Sequence, residues 1–381
     1  MSVAQKERIA WLRLYRSPNV GPITFKRLIA KFGSAEKALE ALPDMALRGG
    51  KSKTPKTPKA PKVYTEEEAL AEIREVKKLG GRFCLSCDDD YPESLLAIED
   101  TPAVLTLLGR GKIDDIKPNI AIVGARNASI NGRKFTHKLA KQLGESGVNI
   151  VSGLARGIDS AAHEGALNTG TWAVVAGGAD VVYPRENQGL YEKILKDGLI
   201  ISENKLGTSP AAHHFPRRNR IVSGLSLGTV IVEANTKSGS LITARMAAEQ
   251  GRDVYAVPGF PNDPRAGGPN KLLRDGAILV ESAEDILSQI ASPKMIQPIM
   301  FDAINQQEEL VQGVDLDCEK NTALDADDVV SMLSHVPISV DEIVRACHVS
   351  VSEVQSVLLD LEIAGRVERL SGNRIGLVDA G

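Results

Sequence analysis

Six apolar runs of three or four residues recur between positions 120 and 257, and they constrain the fold of this chain more than any other feature. They are Ile120-Ala121-Ile122-Val123, Val148-Asn149-Ile150-Val151, Trp172-Ala173-Val174-Val175, Leu199-Ile200-Ile201, Val230-Ile231-Val232 and Val254-Tyr255-Ala256-Val257. Each is too short for a buried helix and has the length of a strand buried on both faces. Helical stretches lie between them, at 134–143, 159–167, 191–195 and 240–250. Strand and helix in alternation predict a doubly wound α/β unit with a mainly parallel sheet, whose ligands sit at the carboxyl ends of the strands.

Two stretches separate this unit from its flanks. Residues 47–62 include the tract GGKSKTPKTPKAPK, whose lysines, threonines and prolines have little apolar surface to pack, so a disordered linker is expected there. Residues 291–325 are mostly polar and turn acidic at Asp315, Asp317 and Glu319, the pattern of a second linker. The units are then 1–46, 63–290 and 326–381.

In the first, Ile9, Leu12 and Leu14, then Phe25, Leu28 and Ile29, then Ala38, Leu39 and Leu42 are spaced as helix faces. The break Asn19-Val20-Gly21-Pro22 followed by Lys26 and Arg27 resembles helix-hairpin-helix and sterile-alpha-motif-like modules that touch DNA backbones. A plain helical packing domain reads equally well. In the third unit, three helical segments and a two-stranded ribbon (365–370 and 374–378) read as a winged helix. Its second long helix, 351–364, carries Glu353, Asp360 and Glu362 and no lysine or arginine, which points to protein contact rather than DNA reading.

Composition excludes several classes. No apolar run reaches the roughly 18–20 residues of a membrane span, and charges within 1–16 occupy the place where a secretory leader would be apolar, so a cytoplasmic protein without membrane contact is expected. Cys318 and Cys347 stand alone and Cys84-Leu85-Ser86-Cys87 has no second pair, so neither zinc nor any other metal or cofactor is expected. Aromatic residues are only 4%, which argues against an extended base-stacking platform.

The chain carries a net charge of −3, and against that background Phe215-Pro216-Arg217-Arg218-Asn219-Arg220 is a local concentration of cations that needs an anion or water. Three turns after strands share its character. Gly124-Ala125-Arg126-Asn127-Ala128-Ser129 follows the first strand, Ser152-Gly153-Leu154-Ala155-Arg156-Gly157 the second, and Lys237-Ser238-Gly239-Ser240 the run ending at Val232. Glycines permit close approach of a ligand, free amides at helix starts attract anions, and each turn offers a cation. The candidate phosphate-binding residues are therefore Gly124, Arg126, Ser129, Ser152, Gly153, Arg156, Gly157, Arg217, Arg218, Asn219, Arg220, Lys237, Ser238 and Gly239. Neither GxGxxG after Val123 nor GxxxxGK[ST] is present, which disfavours a dinucleotide site and P-loop hydrolysis. Asp159 reads as a helix cap, and Glu203 as a base or a partner of one of the arginines. His213 and His214, adjacent in an extended segment, should point apart, and no nucleophile pairs with a histidine, so binding is expected and catalysis is not.

These motifs, with Val257-Pro258-Gly259, resemble the bacterial DNA-processing protein A family, DprA (also called Smf), densely over 120–290. The resemblance implies an extended Rossmann-like fold that dimerises, binds single-stranded DNA and loads the RecA recombinase onto it in natural transformation. Its phosphate contacts map onto the Arg126 loop, the 152–157 loop and Arg217 to Arg220. Where the family often has a lysine before Phe-Pro, this chain has His213-His214. The alternative is a Rossmann-like hydrolase of nucleoside monophosphates, which needs Glu203 or Glu233 in the pocket.

Overall fold

The computed structural model describes residues 3–50, 63–113, 117–291, 324–333, 336–347, 349–370 and 372–378. The Lys/Pro tract from 51 onward, the acidic stretch with Asp315, Asp317 and Glu319, Cys318 and His348 lie outside the described residues.

Three helices open the chain: α1 (Val3–Arg16), α2 (Pro22–Phe32) and α3 (Ala35–Gly50). Pro22 sits in the first turn of α2, where its missing N–H costs nothing, and Gly33 ends the helix at φ 77, a left-handed conformation that favours glycine. α3 continues through Gly50, past the expected boundary at 46. α4 (Glu66–Lys78) starts at a capping box in which Thr65 and Glu68 satisfy each other's amides.

The central sheet is built from β1 (Arg82–Leu85), β2 (Val104–Leu108), β3 (Asn119–Gly124), β4 (Asn149–Ser152), β5 (Thr171–Val174), β6 (Leu199–Ser202), β7 (Gly228–Val232), β8 (Asp253–Ala256) and β9 (Ile278–Leu279). Its order is β1-β2-β6-β5-β4-β3-β7-β8-β9. All six apolar runs are strands, and from β6 to β9 all neighbours pair in parallel. β1 and β2, absent from the sequence reading, extend one edge by antiparallel pairing, and Cys84 is a buried residue of β1.

Helices cover both faces. They are α5 (Glu93–Leu96), α6 (Ile130–Glu145), α7 (Ile158–Ala166), α8 (Gln188–Asp197), α9 (His214–Gly224), α10 (Ser240–Glu249), α11 (Gly267–Arg274) and α12 (Ala283–Ala291). Strand alternation divides the core: Ile120 and Ile122 pack with α6, α7 and α12, whereas Ala121 and Val123 pack with Ile221 and Val222 of α9, with Leu225 just after it, and with α10. β3 and β7 are neighbours whose chains continue in opposite directions across the sheet, so the topological switch lies between them.

The last unit comprises α13 (Ala326–Met332), β10 (Ile338–Ser339), α14 (Val340–Cys347), α15 (Val351–Ile363), β11 (Val367–Leu370) and β12 (Arg374–Leu377), a winged helix with strand order β10-β12-β11. α15 is buried on two sides. Val354, Leu358 and Leu361 fill the winged-helix core, while Leu359 and Ile363 enter the core of α1–α3. Burying a side chain of this size contributes about 1.5–3 kcal/mol, and polar contacts fix the register. Arg48 pairs with Asp360 at 2.8 Å, Arg27 donates to Gln355 at 2.6 Å, Lys31 to Ser356 at 2.9 Å and Asn19 to the Ile363 carbonyl at 3.0 Å. Glu362 is enclosed between Arg369 Nε, at 2.8 Å, and the Thr24 hydroxyl, at 3.0 Å. The acidic helix therefore meets protein, namely the α2–α3 surface of its own chain. The two cations after the hairpin break make contacts within the chain: Lys26 Nζ donates to the carbonyls of Ile98 and Glu99 at 3.2 and 2.8 Å, and Arg27 donates to Gln355 of α15.

Candidate functional site

At the carboxyl ends of β3, β4 and β5 the chain leaves a cavity of about 370 Å³. It is lined by Arg126 and Asn127 after β3, Gly153, Ala155 and Arg156 after β4, 175–177 after β5, Tyr183, Pro184 and Pro210, and Phe215 and Arg218 of α9.

The loop after β4 is held in an uncommon shape. Leu154 is fully buried at φ 56, a left-handed conformation that costs a non-glycine residue of order 1–3 kcal/mol and persists only where its surroundings fix it. Here the fixings are the Asn187 side-chain amide, donating to the Leu154 carbonyl at 2.9 Å, and the Ser160 hydroxyl, donating to the Ala155 carbonyl at 2.7 Å. From below, the buried Asp159 carboxylate accepts the Ala155 amide at 3.3 Å. Gly157, at φ 77, lets this loop meet the β3 loop: an added Cβ would lie 2.3 Å from the Ala125 carbonyl oxygen. Gly153 makes room for a side chain, since a Cβ there would lie 1.5 Å from Arg218 Nη1.

Arg218 is the centre of this arrangement. It is 7% exposed, its Nε is enclosed with no acceptor among the described residues, and the guanidinium lines the cavity. Burial pulls its pKa down, Asp159 acts in the opposite sense, and Arg126 adds to the lowering. Burial likewise raises the Asp159 carboxyl, against Arg218 and the amides of Ala155 and Gly153. A buried charge without hydrogen-bond partners is costly, and an entering anion would relieve that cost. Two more cations stand at the rim: Arg126, whose guanidinium lies 5.0 Å from the Phe215 ring centre, and Arg156, paired with exposed Glu186 at 2.6 Å. Tyr183 leans on Phe215 with ring centres 5.9 Å apart. Sequence reasoning missed these aromatics because it weighed the total content rather than its local placement; the Phe215-Pro216 pair beside the arginines was the available signal.

The cavity gathers Arg126, Gly153, Arg156 and Arg218, and Gly157 shapes it. Other expected phosphate donors are committed elsewhere. Gly124 serves strand packing, with an added Cβ 1.8 Å from the Val232 carbonyl oxygen. Ser152 is fully buried and donates to the Ile122 carbonyl at 2.6 Å, so it ties β4 to β3. Ser129 caps α6, and its amide donates to the Glu233 carboxylate at 2.7 Å. That carboxylate reaches over from the end of β7 and fills the switch crevice, occupying the helix start where a ligand anion was expected. Arg220 is 5% exposed and pairs with Glu203 at 2.5 Å and Asp100 at 3.3 Å, so it is a buried strut and not a groove residue. Arg217 is exposed and Asn219 half-buried on α9. Lys237 and Ser238 line a separate, shallow depression with Arg245, with Gly239 beside them at the start of α10, so the third turn shares the sheet edge but not the cavity.

The histidines also differ from expectation. The chain turns at 211–214 rather than extending, and the His213 and His214 rings meet edge to face with centres 4.2 Å apart. His163 is fully buried against Thr171, 2.7 Å from Nδ1, and burial lowers its pKa to about 3, with Arg218 adding to the effect. One group among the described residues brings metal-type ligands together, Cys84, Asp88 and Asp90, and its carboxylates already pair with Arg8 and Arg82.

A Rossmann-like sheet with a cationic cavity at its carboxyl edge, flanked by a helical unit and a winged helix, is thus the class of protein defined by fold and site. The chain belongs to the DNA recombination-mediator protein A family, whose model matches residues 82–291. A DprA-like N-terminal HHH domain matches 5–73 and a DprA winged helix domain matches 319–373. Protein Smf of Synechocystis is 32% identical over 406 aligned positions, covering 98% of this chain and 99% of that protein. The DNA processing protein DprA of Bacillus subtilis is 46% identical over 208 positions, 52% of this chain and 68% of that one. Among solved structures, DprA of Streptococcus pneumoniae superposes with a TM-score of 0.60 at 34% identity, covering 76% of this chain and 99% of that one. The DNA processing protein A of Helicobacter pylori, described for its single-stranded DNA binding mode, superposes with a TM-score of 0.51 at 30% identity over 55% of this chain and 95% of its own.

Proposed function

We propose that this protein binds single-stranded DNA through its phosphates at the Arg126–Arg156–Arg218 cavity, without reading sequence, and delivers the strand to a RecA-type recombinase in transformation and recombination. The observation that carries this reading is Arg218, a buried arginine that lines the cavity together with Arg126 and Arg156. Arg126 and Arg156 would take flanking phosphates, and Lys237 and Arg217 extend the basic surface along the sheet edge. The DNA-processing relatives and the single-stranded DNA mode described for the Helicobacter pylori protein support the ligand class. Delivery to RecA and a homodimeric state rest on the family resemblance.

Binding without bond cleavage fits the carboxylates. Glu203 is held by Arg220 and Tyr15, and Glu233 by Ser129, so neither base required by the hydrolase alternative is free to face a substrate. Titrating fluorescent oligo-dT across a salt series tests the proposal: affinity should fall linearly in log–log form as counterions are released. Mixed-sequence oligonucleotides should bind alike. Binding that ignores salt, or release of free base from nucleoside monophosphates, would contradict it.

A further inference from the structure

The first half of α9 carries the cavity's Phe215 and Arg218, yet its N-cap makes no side-chain hydrogen bond. Arg220, two residues beyond Arg218, is held tightly. Residues two apart on a helix point about 200° apart, so Arg220 faces away from the cavity, toward Glu203 and Asp100. The N-terminal helices close on this pair from outside. The Tyr15 hydroxyl of α1 donates to the Glu203 carboxylate, Arg16 Nη1 donates to the Glu203 carbonyl at 2.7 Å, and Lys26 of α2 grips the segment bearing Asp100. Gln250 adds a bond to the Arg220 carbonyl at 3.0 Å. Tyr15 is itself packed edge to face on Phe25, with ring centres 5.6 Å apart, so its position is that of the whole helical unit.

We propose that the N-terminal helical unit sets the anion affinity of the cavity by clamping α9 through Arg220, with Glu203 and Tyr15 as positioning residues that touch no DNA. This rests on the reading of the cavity as a single-stranded DNA site. The clamp grips α9 at Arg220, two residues along the helix and on the opposite face from the cation that lines the cavity. Loosening it tilts Arg218 away from the loop that Gly153 leaves open, and affinity falls without loss of any contacting residue.

The test is a double-mutant cycle read by oligo-dT affinity and its salt slope, with thermal melting to confirm folding. Glu203→Gln should weaken binding on the order of tenfold and Tyr15→Phe on the order of threefold, because the first removes the charge that holds Arg220 and the second only one of the hydrogen bonds to that carboxylate. Both should lower the salt slope toward that of Arg218→Ala, and neither should weaken binding further once Arg218→Ala is present. If Glu203→Gln does not fold, Tyr15→Phe gives the same reading alone. Wild-type affinity in both clamp variants, or effects that multiply with Arg218→Ala, would overturn the positioning role while leaving the cavity reading intact. Wild-type affinity in Arg218→Ala itself would instead overturn the cavity reading on which the clamp depends.

Discussion

Two enclosed arginines in this chain have opposite surroundings. Arg369, in the winged helix, gives Nε to Glu362 at 2.8 Å, Nη1 to Asn373 at 2.8 Å and Nη2 to Gln355 at 3.3 Å. Arg218, at the sheet edge, has a buried Nε that no described residue accepts. The first belongs to an interface in which α15, the helix a winged helix would offer to DNA, is packed against α2 and α3. The second belongs to a cavity ringed by two further arginines. A buried cation paired with carboxylates is structural, whereas a buried cation that lines a cavity beside two further arginines marks a place for an anionic ligand.

The comparison can be broken by mutation. The largest effect should come from Arg369→Ala, which leaves Glu362 buried without its counter-charge and costs about 3–5 kcal/mol in urea unfolding, while oligo-dT affinity of the folded protein stays at the wild-type level. A variant with unaltered stability would show that this pair is not the strut described. Arg218→Ala should reverse the pattern: binding weakens by about 1.5–3 kcal/mol, and the melting temperature holds or rises because a desolvated charge has gone.

His163 sharpens the account through pH. Its folded pKa, near 3, lies below the 6.5 of an exposed histidine, so the unfolded chain binds the proton first. The resulting stability is fully present above pH 6.5 and is lost on acidification toward 3. Its slope is about 1.4 kcal/mol per pH unit. His163→Gln should flatten that slope in acid unfolding curves, and an unchanged curve would remove His163 from the explanation. The smallest effect belongs to Ser129→Ala, which removes an N-cap and should cost about 0.5–2 kcal/mol of stability. DNA affinity should stay the same, because Glu233 and not a phosphate occupies that helix start.

The sequence made the parallel strands legible because burial on both faces leaves short unbroken apolar runs. It hid β2, although Val104–Leu108 is as apolar as any inner strand, because β2 pairs antiparallel with both neighbours and breaks the strand–helix alternation. The cationic motif of α9 was visible, but Arg218 and Arg220 are chemically identical and two positions apart. What separates them is Glu203, 17 residues from Arg220, which Tyr15 reaches from 188 residues away. Pairing over such distances leaves no local trace, and the same holds for Glu233, which closes the α6 start from 104 residues away. Gly153 and Gly157 were singled out for close approach of a ligand, whereas the atoms a Cβ there would meet belong to the chain itself, Arg218 at the first and the Ala125 carbonyl at the second.

The decisive measurement is the salt dependence of oligo-dT affinity for wild type against Arg218→Ala. If the cavity-lining Arg218 is the heart of a phosphate site, the variant should bind on the order of ten- to a hundredfold more weakly, with a log–log salt slope smaller by about one. Equal affinity and equal slope would contradict it, and would place the DNA-binding surface elsewhere on the molecule.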